Sequence, residues 1–125
     1  MQILVPISAG ELVDKITILR LKRANLQGAA QANVVRELEA LEAVAAGALP
    51  QSLQMQTLIE ALSGLNRRLW DIEDRIRALE QAGRFDDAFV ETARQVYLTN
   101  DERHRLKRRI NELVGSDIVE EKSHA

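Results

Sequence analysis

The chain has 125 residues, 46% hydrophobic and 29% charged, with 19 acidic against 17 basic side chains and a net charge of −2. That length holds one domain, 1–125, around a single core; the composition is that of a folded chain, and the charge supplies no global field to recruit nucleic acid or a membrane surface. The absence of cysteine excludes disulfides, thiol catalysis and cysteine-ligated metal, and the apolar run at residues 3–7 is too short for a span and has no basic leader, so a cytoplasmic protein is expected.

Residues 1–7 are β-branched and end near Pro6, which disfavours helix at Val5, so this stretch is expected to be extended. A first helix opens at Ser8, where Ser8-Ala9-Gly10-Glu11 has the form of a capping box: the serine oxygen accepts from the N3 amide and Glu11 reaches back. It is expected to run to about Gln27. Its apolar residues Leu12, Val13, Ile16, Ile18, Leu19 and Leu21 cover a wide arc, which predicts packing on more than one side. A second helix, roughly 31–46, is rich in alanine and glutamate and carries a modest face of Val34, Val35, Leu38, Leu41 and Val44.

The third helix reads as the spine. Met55, Leu58, Leu62, Leu65, Leu69, Ile72, Ile76 and Leu79 recur at alternating steps of three and four, a heptad seam of roughly 37 Å at 1.5 Å per residue. Such a seam wants an antiparallel neighbour within the chain or the same helix from a second copy, and a homodimer is expected on this ground. Gly64 in its middle costs about 1 kcal/mol against alanine and is read as a mark of close helix approach.

A short fourth helix after Arg84 uses Phe85, Phe89, Val90, Ala93 and Val96. A fifth opens at a second capping-box pattern, Thr99-Asn100-Asp101-Glu102, and runs through Leu106, Ile110 and Leu113 to Gly115. Gly28, Gly47, Gly83 and Gly115 each follow a helical pattern, as left-handed C′ residues do. The tail, 116–125, either pairs with the N-terminal stretch as a two-stranded ribbon, marginal without packing, or lies along the bundle. The expected fold is all-α, about five helices built around one long heptad-patterned helix.

The polar residues exceed what a core requires. Arg103, Lys107 and Asn111 are spaced i, i+4, i+8 beside the apolar line Leu106, Ile110, Leu113, and five of the seven residues 103–109 are Lys or Arg. Such a stripe suits phosphate or carboxylate; its bland alternative is a solvated cationic helix face. Nucleic-acid binding by the 103–109 face is disfavoured by the acidic balance and the lack of interleaved aromatics. On the first helix Glu11 and Lys15 form an i, i+4 pair in the favourable orientation, or else Glu11, Asp14 and Lys15 face Arg103 and Lys107 across the bundle. On the third, Asn66, Trp70, Glu73 and Arg77 make a stripe beside the leucine seam, where Trp70 is read first as capping a core edge. Asp71, Glu73 and Asp74 do not point in one direction and have no accompanying Glu-x-x-His pair, so neither metal nor cofactor is expected. His104 and His124 are the only histidines, and neither is placed as a base or ligand. No nucleophile–base pair, phosphate-cradling loop or zinc spacing is present.

The segments Ile7-Ser8-Ala9-Gly10-Glu11-Leu12-Val13-Asp14-Lys15-Ile16-Thr17-Ile18-Leu19, Leu69-Trp70-Asp71-Ile72-Glu73-Asp74 and 97–123 resemble an uncharacterised family of small bacterial proteins, a domain of unknown function. The resemblance spans nearly the whole chain apart from the second helix. It implies that the three segments belong to one design and meet in space. Arg20 and His124 stand where such proteins have an acidic and an aromatic residue. In outline alone the chain is also similar to the helical chorismate mutases, which bind a dicarboxylate between helices, but the arginine-led motif of their first helix is not found here.

The expected function is that of a non-enzymatic helical-bundle module binding an anionic small molecule or a protein partner. Its site is placed at Glu11, Lys15, Asn66, Trp70, Glu73, Arg103, Lys107 and Asn111: Arg103 and Lys107 neutralise the anion, Asn66 and Asn111 orient it, and Glu11 and Glu73 hold the cations. The enzyme alternative is a lyase or isomerase acting on an anionic metabolite by electrostatic stabilisation.

Overall fold

A computed structural model describes residues 1–124, which form four helices: α1 Ala9–Asn25, α2 Gly28–Ala48, α3 Leu53–Gln81 and α4 Asp87–Val114. The all-α class agrees with the sequence reading; the five-helix count does not. The expected fourth and fifth helices are one, because no glycine or proline interrupts residues 85–114. Thr99-Asn100-Asp101-Glu102 therefore lies in mid-helix, with Thr99 buried. A capping box begins a helix only where the preceding turn is not already helical, and propagation adds a hydrogen bond for each residue it orders.

Smaller corrections have equally local causes. α1 stops at Asn25, with Leu26 as an extended C-cap, and α2 begins at Gly28, which supplies the positive φ of the turn as the opening residue of α2. Gly47 lies inside α2, which runs on to Ala48 and stops ahead of Pro50. At the other two glycines the expected C′ geometry is present. Gly83 N–H donates to Glu80 O and Arg84 N–H to Leu79 O at the end of α3; Gly115 N–H to Glu112 O and Ser116 N–H to Asn111 O repeat the pattern after α4, the paired bonds of a Schellman turn.

Among the helices, α1 alone packs on the other three; α2 rests on α1 only, and α3 and α4 form an antiparallel hairpin. The central element is thus α1 rather than the longer α3, as its wide apolar arc requires. One core cluster joins Leu12, Ile16 and Leu19 of α1 to Val34 and Leu38 of α2; the other joins Val13 to Met55, Leu58 and Leu62 of α3 and Ile110 of α4. The heptad positions Met55, Leu58, Leu62, Leu65 and Leu79 are buried within the chain, and Leu69, Ile72 and Ile76 are half-buried.

Gly64 is exposed, and a Cβ built there meets nothing within 4 Å, so it marks no close approach. The close approach is at Gly10, where an added Cβ would lie 2.4 Å from the Lys107 carbonyl oxygen. Residues 1–7 carry no regular structure, and Met1, Ile3, Leu4 and Val5 stand exposed. No strand occurs among the described residues. Of the two courses open to the tail, it takes the one along the bundle, held through Glu120, Glu121 and Lys122.

Candidate functional site

Close packing of α1 on α4 brings together polar groups far apart in sequence. Ser8 caps α1 by accepting from the Glu11 amide at 3.0 Å, the serine half of the expected box. The glutamate half is not made: the Glu11 carboxylate turns to Lys107 Nζ at 2.6 Å, since an ammonium is a stronger partner than a neutral amide. That contact also displaces the expected Glu11–Lys15 pair; Lys15 is exposed. One turn on, the buried Asp14 carboxylate takes a bidentate grip from Arg103, with Nε donating to Oδ1 at 3.0 Å and Nη2 to Oδ2 at 2.6 Å. At the other end of the register, Gly10 N–H donates to Asn111 Oδ1 at 2.7 Å, which the missing side chain at Gly10 makes possible.

Asn66 of α3 completes the Asp14 cluster. Its Nδ2 donates to Asp14 Oδ1 and to Thr17 Oγ1, both at 2.9 Å, while the Thr17 hydroxyl donates to the Asp14 carbonyl at 2.8 Å. Asp14, Thr17, Asn66 and Asn111 are all buried. Burial of an ionised carboxylate is costly unless it is paired and hydrogen-bonded, and here both conditions are met. The Arg103 guanidinium is held above its ordinary pKa by the hydrogen bonds to Asp14, against the opposing effect of burial, with the Asp14 and Glu11 charges adding to the rise.

Seven of the eight residues singled out from the sequence fall into two groups, and Lys15 stands apart. Glu11, Lys107 and Asn111 belong to the α1–α4 network, joined there by Ser8 and by Glu120 from the tail. Asn66, Trp70, Glu73 and Arg103 line an open groove of about 520 Å³ between α1, α3 and α4, together with Ile18, Leu21, Lys22, Leu69, Asp74, Arg77 and Asn100. Lys15 lines a neighbouring concavity that shares Ile18, Lys22 and Arg103 with that groove. Two roles differ from expectation. Glu73 does not hold Arg103; it pairs with Arg77 at 3.5 Å on its own helix, and Arg103 is held by Asp14. The Asn66 and Asn111 amides are committed within the protein. Asp14 meets Arg103 of the basic stripe, as the second reading of the α1 charges has it, whereas Ser8, Thr17 and Glu120 join the network without belonging to the eight. Asp14 sits three residues past Glu11 on the face that meets the basic stripe, and that spacing was the available signal.

The basic run on α4 divides in the same way. Arg103 and Lys107 turn inward to Asp14 and Glu11, Arg108 pairs with Glu121 at 3.4 Å, and Arg105 and Arg109 are exposed. Asp71 lies against Arg67 at 3.9 Å. The buried Nε2 of His104 has no hydrogen-bond partner among the described residues. No described helix is long and apolar enough to cross a membrane.

With this geometry in place, comparison across residues 3–125 matches the model of a family of unknown function, DUF6165. The chain belongs to DUF6165. No curated protein and no solved structure matches it. The match runs through all four helices of this DUF6165 chain and through the tail that returns to α1, so the network and the groove both lie within the family's extent.

Proposed function

We propose that the chain is a non-enzymatic, cytoplasmic binding module whose groove between α1, α3 and α4 takes a small anion carrying an apolar or aromatic portion. The observation that carries this reading is the placement of Lys22 and Arg103 in one open groove with Trp70, Leu69, Ile18 and Leu21. Lys22 has no ion-pair partner among the described residues, and neither has Lys15 beside it. Arg103 brings a guanidinium already oriented by Asp14, so little rotamer freedom is lost when it meets a ligand. The apolar side chains supply contact area and the cations supply orientation, the usual division of labour in a ligand groove.

The lysine–arginine edge favours an anion over a neutral ligand. The groove's open form and the filled cores beside it favour binding over the lyase or isomerase alternative, which calls for a site closed to water. The nucleic-acid alternative has weaker support, because Lys107 and Arg108 in the basic run are each paired with a carboxylate. Self-association belongs to the same proposal: the exposed Val90, Tyr97 and Leu98 of α4, with the half-buried Ile72 and Ile76 of α3, offer a second copy an apolar face on the hairpin.

Trp70 is the only tryptophan and reports on the groove directly. Titration with aromatic carboxylates and phosphate esters should give a saturable change in its emission. Lys22→Ala should weaken the best of these about tenfold, or roughly 1.4 kcal/mol. Absence of any saturable response at millimolar ligand, or equal affinity in Lys22→Ala, would sink the proposal. Sedimentation at high micromolar concentration tests the dimer, and a monomer there would remove it.

A further inference from the structure

At the end of α1 away from the groove, the protein's own tail places a carboxylate in a socket. Glu120 Oε1 accepts from the Ser8 hydroxyl, and Oε2 accepts from Asn111 Nδ2 at 3.0 Å. Ser8 and Asn111 are buried, 1% and 2% exposed, and Lys107 adds its charge to the same carboxylate. Burial acts to raise the Glu120 pKa, and the hydrogen bonds from Ser8, from its own backbone amide and from Asn111, with the Lys107 charge, outweigh it, leaving the group below its ordinary value. The Asn111 oxygen is pinned by the Gly10 amide, so its Nδ2 is aimed at the socket whether or not a carboxylate is there. The socket is thus preorganised by the packing of α1 on α4.

The segment that delivers Glu120 is lightly held. After Gly115 reverses the chain, the tail returns along α4 with Glu121 on Arg108 at 3.4 Å and Lys122 on Asp101 at 2.6 Å. Ion pairs of this exposed kind are each worth about 0–1 kcal/mol. Past the turn-closing Ser116 amide, no backbone hydrogen bond ties the described tail to the helices. Asp117, Ile118, Val119, Glu121 and Lys122 are all exposed. A segment with so few buried contacts opens at low free-energy cost while the helices stay folded.

We propose that Ser8 and Asn111 form a carboxylate-binding site, that Glu120 is its resident occupant, and that a carboxylate from another molecule binds there when the tail lifts. The two donors address the two oxygens of one planar group, which suits a carboxylate better than a tetrahedral phosphate. This site is separate from the α1–α3–α4 groove, and either can fail without the other.

The test uses the full-length chain and acetate as probe, read by the nitrogen and proton shifts of the Asn111 side-chain amide and the Gly10 amide, with sodium chloride as the ionic-strength control. Glu120→Ala should show saturable shifts with acetate, at least tenfold tighter than any response in the unaltered chain. Ser8→Ala added to Glu120→Ala should weaken that binding tenfold or more. Arg108→Ala with Lys122→Ala, which loosens the tail and leaves the socket and Glu120 in place, should let acetate compete at lower concentration than in the unaltered chain; this variant decides the matter if Glu120→Ala does not fold. No saturable response in either variant overturns the proposal. So does a response to inorganic phosphate equal to or greater than that to acetate.

Discussion

Asp14 on α1 and Arg103 on α4 are 89 positions apart in the chain, yet Asp14 Oδ2 and Arg103 Nη2 meet at 2.6 Å. The carboxylate is 1% exposed and the guanidinium side chain 29% exposed. The pair therefore fixes the α1–α4 register beside the groove, which Arg103 lines, while leaving one edge of the arginine towards solvent. Removing the arginine alone strands a buried charge, which typically costs 3–5 kcal/mol. Urea denaturation of Arg103→Met should accordingly show a loss of about 3–5 kcal/mol. Asp14→Leu combined with Arg103→Met should recover a large part of it, because the stranded charge is gone. A double variant as unstable as the single would contradict this account of the pair.

Gly10 and Gly64 make opposite predictions. Gly10→Ala drives a Cβ to 2.4 Å from the Lys107 carbonyl oxygen, and backbone cannot step aside as a flexible side chain can. A loss of about 1–3 kcal/mol is expected from the overpacking, along with the hydrogen bond to Asn111. Gly64→Ala meets nothing within 4 Å and should stabilise the chain by about 1 kcal/mol through helix propensity. Thermal melts of the two variants should move in opposite directions.

Acid should release the tail before it unfolds the helices. Glu120 is held below its ordinary carboxyl pKa in the folded protein. Its contribution is therefore complete above the unfolded value, near 4.5, and is lost as pH falls through the lower folded value. Amide shifts of residues 117–122 should titrate in that acid range while far-ultraviolet helicity persists. Glu120→Gln should abolish the step. Tail shifts that move only together with global unfolding would refute the separation.

Leu62 is fully buried among α1, α3 and α4, whereas Val90 is 53% exposed. Leu62→Ala should cost about 2–5 kcal/mol, the usual range for a buried leucine. Val90→Ala, measured on the monomeric chain at low concentration, should stay within about 0.5 kcal/mol. Equal effects would mean that α3 does not pack on α1 and α4 as described.

Local signals identified much of this molecule from the residues alone. The all-α class, the serine cap at Ser8 and the left-handed glycines at 83 and 115 each depend on interactions within a few residues, so their spacing is visible in the chain. The tertiary structure decided what local patterns leave open. Thr99-Asn100-Asp101-Glu102 has the residues of a cap, but it becomes one only if the preceding turn is not helical. Glu11 had a partner available at Lys15 and took Lys107 instead, because packing placed a half-buried cation within 2.6 Å. Glu73 stayed on its own helix with Arg77, and the role expected of it at Arg103 passed to Asp14. The sequence by itself determined which faces are apolar and which carry charge. Only the packed bundle decided which charges meet, because ion pairs across helices depend on register and approach distance, and here a missing side chain at Gly10 sets both.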